Sequence, residues 1–264
     1  MIVVGAIAAY FGVRGLTEGN VNTAERNAER VLDMERTVRI AFEETLQAGV
    51  LGADWLVTLA NWVYIWMHWP VLVATLIWLI RVNRDEYFEL RNAMIISGAI
   101  GMIIFATFPV APPRLMGLEY VDTVTERSYS YRVLQPPAFV NAYAAVPSLH
   151  FGWNLLVGLT WMRVGRTPAW RIAGVLMPAA MAWAVVATGN HWTFDVVAGG
   201  TVAFVGVSIE RWRHTRRQPA SSTTAPGHAQ QRSAATRVGS ADTSGDLGVS
   251  VVTRRQRRID EPAP

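Results

Sequence analysis

Two stretches of this chain, residues 55–80 and 92–110, contain no charged side chain. Each is long enough to cross a hydrocarbon core as a helix, which takes roughly 20 apolar residues. The rest of the composition agrees. Of 264 residues, 51% are hydrophobic and only 17% charged, and the mean hydropathy is +0.21. Those values exclude an ordinary soluble enzyme and a mostly disordered chain, and the lack of cysteine excludes a disulfide scaffold. The expected fold class is all-α: a polytopic membrane helical bundle of about six transmembrane helices with a disordered C-terminal tail.

Residues 1–13 read as part of a first span. Residues 22–49 are polar with an apolar stripe (Ala24, Ala28, Val31, Val38, Phe42, Leu46) at helical spacing, so an amphipathic helix is expected, with Asn22 and Glu25 as a capping box. Spans two and three are the two charge-free stretches. A proline-rich loop, 111–147, precedes a fourth span from Ser148 to Met162, a fifth at 172–188 and a sixth from about His191 to Ile209. The expected membrane domain is therefore 1–212. Residues 213–264 are rich in Ser, Thr, Ala, Arg and Gly without periodicity, and read as a disordered basic tail.

Orientation follows from arginine, since all 24 basic residues are arginine. Arg81, Arg84 and Arg91 crowd the loop between spans two and three, and Arg163, Arg166 and Arg171 that between four and five. The tail holds nine arginines against four acids. By the positive-inside rule these segments and both chain ends are cytoplasmic, in a multi-pass protein of the cytoplasmic membrane. The 111–147 loop and the turn at Gly189–His191 then face outward. The 14–54 segment fits least well, because it places five arginines outside, though acids accompany them. A basic tail beside a span marks the cytoplasmic side more simply than it marks a nucleic-acid partner, and none is expected.

Three polar islands fall on that outer side: Ala111-Pro112-Pro113-Arg114, Pro147-Ser148-Leu149-His150, and Gly189-Asn190-His191-Trp192-Thr193-Phe194-Asp195. His191 and Asp195, four apart, share one helix face, so the carboxylate can accept from one imidazole nitrogen and leave the other free. Asn190 and Ser148 are good N-caps, placing His191 and His150 in first turns beside unpaired N–H groups, a natural place for phosphate. Arg114 adds a planar fork suited to phosphate oxygens. The fourth span, at roughly 22 Å of helix, is shorter than the roughly 30 Å hydrocarbon, so its outer end is expected to be sunken. His68, in the middle of span two, faces the bundle or a cavity at that depth. With Asn190 it is a candidate for lining the substrate cavity.

Taken together, APPRL (111–115), YAAVPSLHFGW (143–153) and GNHWTFDVVAG (189–199) resemble the type 2 phosphatidic acid phosphatase superfamily, and within it the inositol phosphorylceramide synthase-like branch. The resemblance implies His191 as the nucleophile that attacks phosphorus, Asp195 as its orienting partner, His150 as the acid for the leaving group, and Arg114 and Ser148 as phosphate binders. The sequence departs from the broad superfamily in three places. Thr107 stands where a lysine is usual, Val185 where an arginine is usual, and Leu149 where a glycine is usual.

The implied activity is that of an integral membrane phosphoesterase. It would hydrolyse a lipid phosphate, or transfer a phospholipid headgroup to an alcohol such as inositol or a lipid hydroxyl. The expected partners are a membrane lipid substrate and, for transfer, an alcohol acceptor. Two histidines and a carboxylate could also bind a metal. Arg114 and two helix N-termini would repel a cation, so neither metal nor cofactor is expected. The alternative from another class is a non-catalytic protein that binds or transports lipid phosphates through the same pocket.

Overall fold

The computed structural model describes Gly12 and residues 21–117, 120–127 and 141–217. The first expected span and all of the tail beyond Arg217 lie outside the described residues. Where described, the chain forms helices α1 (Val21–Val38), α2 (Glu43–Leu51), α3 (Asp54–Trp66), α4 (Trp69–Val82), α5 (Arg84–Thr107), α6 (Thr123–Arg127), α7 (Leu149–Val164), α8 (Pro168–Ala187) and α9 (Thr193–Arg217), with a 3₁₀ turn at Pro113–Leu115. Among the described residues there is no strand, only an isolated bridge between Val110 and Ala144. This is an all-α membrane bundle.

Helices occupy the places of the other five expected spans. Those at α5, α8 and α9 are long and apolar enough to cross a membrane singly, and α3 with α4, bent by 42° at the break between them, are long and apolar enough only as a pair. The bend falls at Met67–His68, and Pro70 stands in the first turn of α4, where its missing N–H costs nothing. Helix α7 has 16 residues, about 24 Å at 1.5 Å per residue. It covers the place of the expected fourth span and is shorter than the helices long enough to cross a membrane singly. Helix α9 runs past the expected start of the tail, through Arg213 to Arg217.

Helix α7 lies at the centre, packed on α5, α8 and α9. Glycines permit the closest crossings. A Cβ on Gly152 would sit 2.6 Å from the Gly199 carbonyl of α9, and one on Gly174 of α8 would sit 2.6 Å from the Gly158 carbonyl. Small residues let backbones approach where lipid supplies no hydrophobic drive between helices. Pro178 has no N–H for the Gly174 carbonyl four residues before it, and that carbonyl lies against Gly158 instead. Gly158→Val should therefore destabilise the bundle by about 1–3 kcal/mol, the usual cost of overpacking. A lower thermal midpoint in detergent would show it, and an unchanged midpoint would mean the helices can part freely. At the bundle end remote from the polar islands, Arg163 bonds Glu86 (2.8 Å) and Glu89 (3.2 Å), and Arg211 bonds Glu89 (2.8 Å), tying α5, α7 and α9 together.

The N-terminal amphipathic segment is two helices rather than one. Arg39 adopts φ 61°, a left-handed conformation that ends α1. The expected stripe is consequently interrupted: Val38 is 57% and Phe42 55% exposed, while Leu46 packs against the core. The buried face continues instead through Glu35, Glu43 and Gln47. Val21 is already helical, so Asn22 lies within α1 and does not cap it. Ala24, Ala28, Val31 and Leu32 pack on Val110, Ala111, Ala145, Val146 and Trp192, which lays α1 over the three polar islands.

Candidate functional site

The three islands meet. The 108–111 segment is held by backbone bonds from Ala111 N to the Ala24 carbonyl (3.1 Å) and from Val110 N to the Tyr143 carbonyl (3.0 Å). Trp192, fully buried, donates its indole N–H to the Ala111 carbonyl at 2.8 Å. Ser148 N donates to the Asp195 carbonyl at 3.0 Å. A Cβ on Gly199 would collide with the Ser148 carbonyl, so glycine at 199 is what lets the starts of α7 and α9 touch.

His191 lies in the turn before α9. Its Nδ1 is 3.1 Å from Asp195 Oδ2 and 2.9 Å from the Ala145 carbonyl oxygen. Both are acceptors, so Nδ1 carries the proton and donates to the pair. Nε2 is left with its lone pair. Burial pushes the His191 pKa down to about 3; the Ala145 bond acts against this, and the Arg114 charge reinforces it. The resting ring is thus neutral.

His150 is in the first turn of α7. Its ring stacks on Tyr64 (centroids 4.6 Å apart) and lies 4.3 Å from the His68 ring and 6.2 Å from that of His191. His68 sits at the α3–α4 bend, buried. Its Nδ1 accepts from Asn154 Nδ2 at 3.0 Å, and the same amide donates to the His150 carbonyl at 2.7 Å. His68 thus joins the other two histidines in one row. Asn154, a buried amide among the apolar residues of mid-α7 and four residues after His150, is the sequence signal for this contact.

Arg114 donates from Nη1 to Asn190 Oδ1 (2.6 Å) and pairs through Nε with Asp122 (3.1 Å). Asn190 is buried and gives its amide N–H to Thr188 Oγ1 at 2.8 Å. Its role in the fold is to hold Arg114 rather than to cap α9. The Val185 backbone carbonyl accepts from both Asn190 N (3.2 Å) and His191 N (3.0 Å).

The start of α9 differs most from expectation. Its N–H groups are not available to an anion. Trp192 N donates to Asp195 Oδ2 (2.8 Å), Thr193 N to Glu43 Oε1 (2.6 Å) and Phe194 N to Glu35 Oε1 (2.6 Å). At α7, Ser148 does cap, its Oγ accepting from Phe151 N at 3.4 Å. The Leu149 and His150 N–H groups have no acceptor among the described residues. The free helix end beside both histidines is therefore that of α7. No set of three His, Asp or Glu side chains among the described residues is disposed to hold a metal ion.

A family model described as the PAP2 superfamily matches residues 29–209, which include α2 to α8 and most of α1 and α9. No curated protein and no solved structure matches the chain.

Proposed function

The chain belongs to the PAP2 superfamily and is a membrane protein of phosphatase type; on that footing we propose that it cleaves a lipid phosphoester through a histidine nucleophile. The observation that carries this reading is the pairing at His191: a neutral ring whose Nδ1–H is held by Asp195 and Ala145, with Nε2 left as the attacking atom. Phosphoryl transfer asks for an in-line nucleophile, charge stabilisation on the equatorial oxygens and an acid for the leaving group.

In this mechanism His191 Nε2 attacks phosphorus and forms an N–P bond as the P–O bond to the lipid alcohol breaks. His150 protonates the departing oxygen. Water or an acceptor alcohol, deprotonated by His150, then breaks the N–P bond and returns His191. Arg114, oriented by Asn190 and Asp122, carries the phosphate charge with the open N–H groups of α7. Ser148 holds that helix end. His68, held by Asn154, packs directly against the His150 ring. Sequence likeness to the inositol phosphorylceramide synthase-like branch favours headgroup transfer beside hydrolysis. The arginine pattern favours a site on the outer side of the cytoplasmic membrane with the tail in the cytoplasm.

Purified protein incubated with a panel of lipid phosphates and phospholipids, with and without inositol, tests the reading. Release of phosphate or of an inositol phosphate adduct supports it. Binding without turnover of any of them would make the protein a lipid-phosphate carrier. Because arginine and helix N–H groups supply the positive charge, turnover should survive chelators, and loss restored by zinc or magnesium would overturn that assignment. His150→Ala should slow poor alcohol leaving groups by about 10²–10⁴ and activated aryl phosphates far less. Equal losses on both would limit His150 to binding phosphate.

A further inference from the structure

Three buried carboxylates surround the start of α9, and none is paired with an arginine among the described residues. Glu35 is 0%, Glu43 1% and Asp195 0% exposed. They take three successive backbone N–H groups: Asp195 that of Trp192, Glu43 that of Thr193 and Glu35 that of Phe194. Glu35 and Glu43 accept from adjacent N–H groups of one helix turn, so two buried carboxylates lie side by side there, a placement that disfavours charge on both. No donor among the described residues reaches Glu35 Oε2, the oxygen on which a proton would sit.

We propose that Glu35 and Glu43 share one proton and act as positioning residues, clamping the first turn of α9 so that His191 and Asp195 stay in register. This rests on the histidine-phosphatase reading. The shared proton leaves the pair with a single negative charge, enough to hold two helix N–H groups at the positive end of the dipole. A second charge would set Glu35 and Glu43 against each other and against Asp195, and pull a carboxylate off its N–H.

The electrostatics of the pair agree. Burial raises the Glu35 pKa to about 8; the Phe194 N–H opposes this, and the charges of Glu43 on α2 and Asp195 on α9 add to it. Tyr120, edge-on to Trp192 with centroids 6.0 Å apart, is raised to about 12 by burial and by Glu43, Glu44 and Glu35, against Arg36 on α1. It therefore stays neutral. Glu35 folds with a pKa above its ordinary 4.5, so the folded state holds the extra proton. Its contribution to stability is complete below that value and lost as pH rises through about 8.

Infrared spectroscopy of the full-length protein in detergent tests the clamp without needing turnover. A protonated-carboxyl C=O stretch is expected that titrates near pH 8 and is missing from both Glu35→Gln and Glu43→Gln. A band that persists in both variants overturns the proposal. The amide introduced by Glu35→Gln can accept from Phe194 N and donate to Glu43, so this variant should keep kcat within about threefold and lose the wild type's alkaline decline. Glu35→Ala should lower kcat more than about tenfold with KM unchanged. If Glu35→Gln and Glu35→Ala are equally impaired while both fold, the shared proton is not what positions the dyad. If no lipid phosphate turns over in wild type, the phosphatase reading falls, and the clamp is still decided by the band and by the pH dependence of the thermal midpoint.

Discussion

His191→Ala should form no phosphoenzyme and lose turnover by about 10⁴-fold or more, the scale on which removing a nucleophile acts. The expectation is specific because the rest of the site does not depend on that ring. Asp195 Oδ2 still receives the Trp192 N–H, and Arg114 is still held by Asn190 and Asp122. The variant should therefore fold, with helix content and thermal midpoint close to wild type. Rapid quench of the enzyme with a labelled lipid phosphate, followed by peptide mapping, is the measurement. Wild-type protein should carry acid-labile label on the peptide containing His191. Label on the His150 peptide, or an intermediate that survives in His191→Ala, would reverse the roles of the two histidines.

Those two histidines were legible from sequence because each interrupts an apolar span boundary, and charge patterning alone put the boundaries on one side. The bend at His68 was not. Charge-free residues 55–80 read as one continuous span, and nothing in hydropathy marks a 42° break that brings His68 beside His150. The start of α9 escapes sequence reasoning for a different reason. The acceptors for Thr193 N and Phe194 N are Glu43 and Glu35, some 150 residues earlier in the chain. Helix-end reasoning sees only local caps. A trace was present, since Glu35 continues the spacing of Ala24, Ala28 and Val31 on the inward face of α1. A stripe followed through apolar residues only, to Val38 and Phe42, passes over it. Val185 and Ala145 act through backbone carbonyls, which no side-chain pattern reports.

Asp195→Asn should slow phosphoenzyme formation by about 10², at the low end of the 10²–10⁴ range for loss of an orienting partner. In a triad where the carboxylate alone selects the tautomer, the amide costs about 10⁴, because the ring turns its lone pair the wrong way. Here a second acceptor guards against that. The Ala145 carbonyl lies 2.9 Å from His191 Nδ1, closer than Asp195 at 3.1 Å. An asparagine can set its oxygen where Oδ2 stands, keeping the bonds from Trp192 N and His191 Nδ1. Its NH₂ then falls where Oδ1, which has no donor among the described residues, was. What the amide cannot supply is the negative charge facing the imidazole as positive charge grows on it during attack. Asp195→Ala should cost more, about 10³–10⁴, since it also uncovers the buried Trp192 N–H. Single-turnover quench gives the rates, and nitrogen NMR of the His191 ring gives the tautomer. A 10⁴-fold loss in Asp195→Asn with the proton moved to Nε2 would show that Ala145 does not hold the ring. A loss near 10² with the proton still on Nδ1 would assign Asp195 to charge stabilisation and Ala145 to orientation.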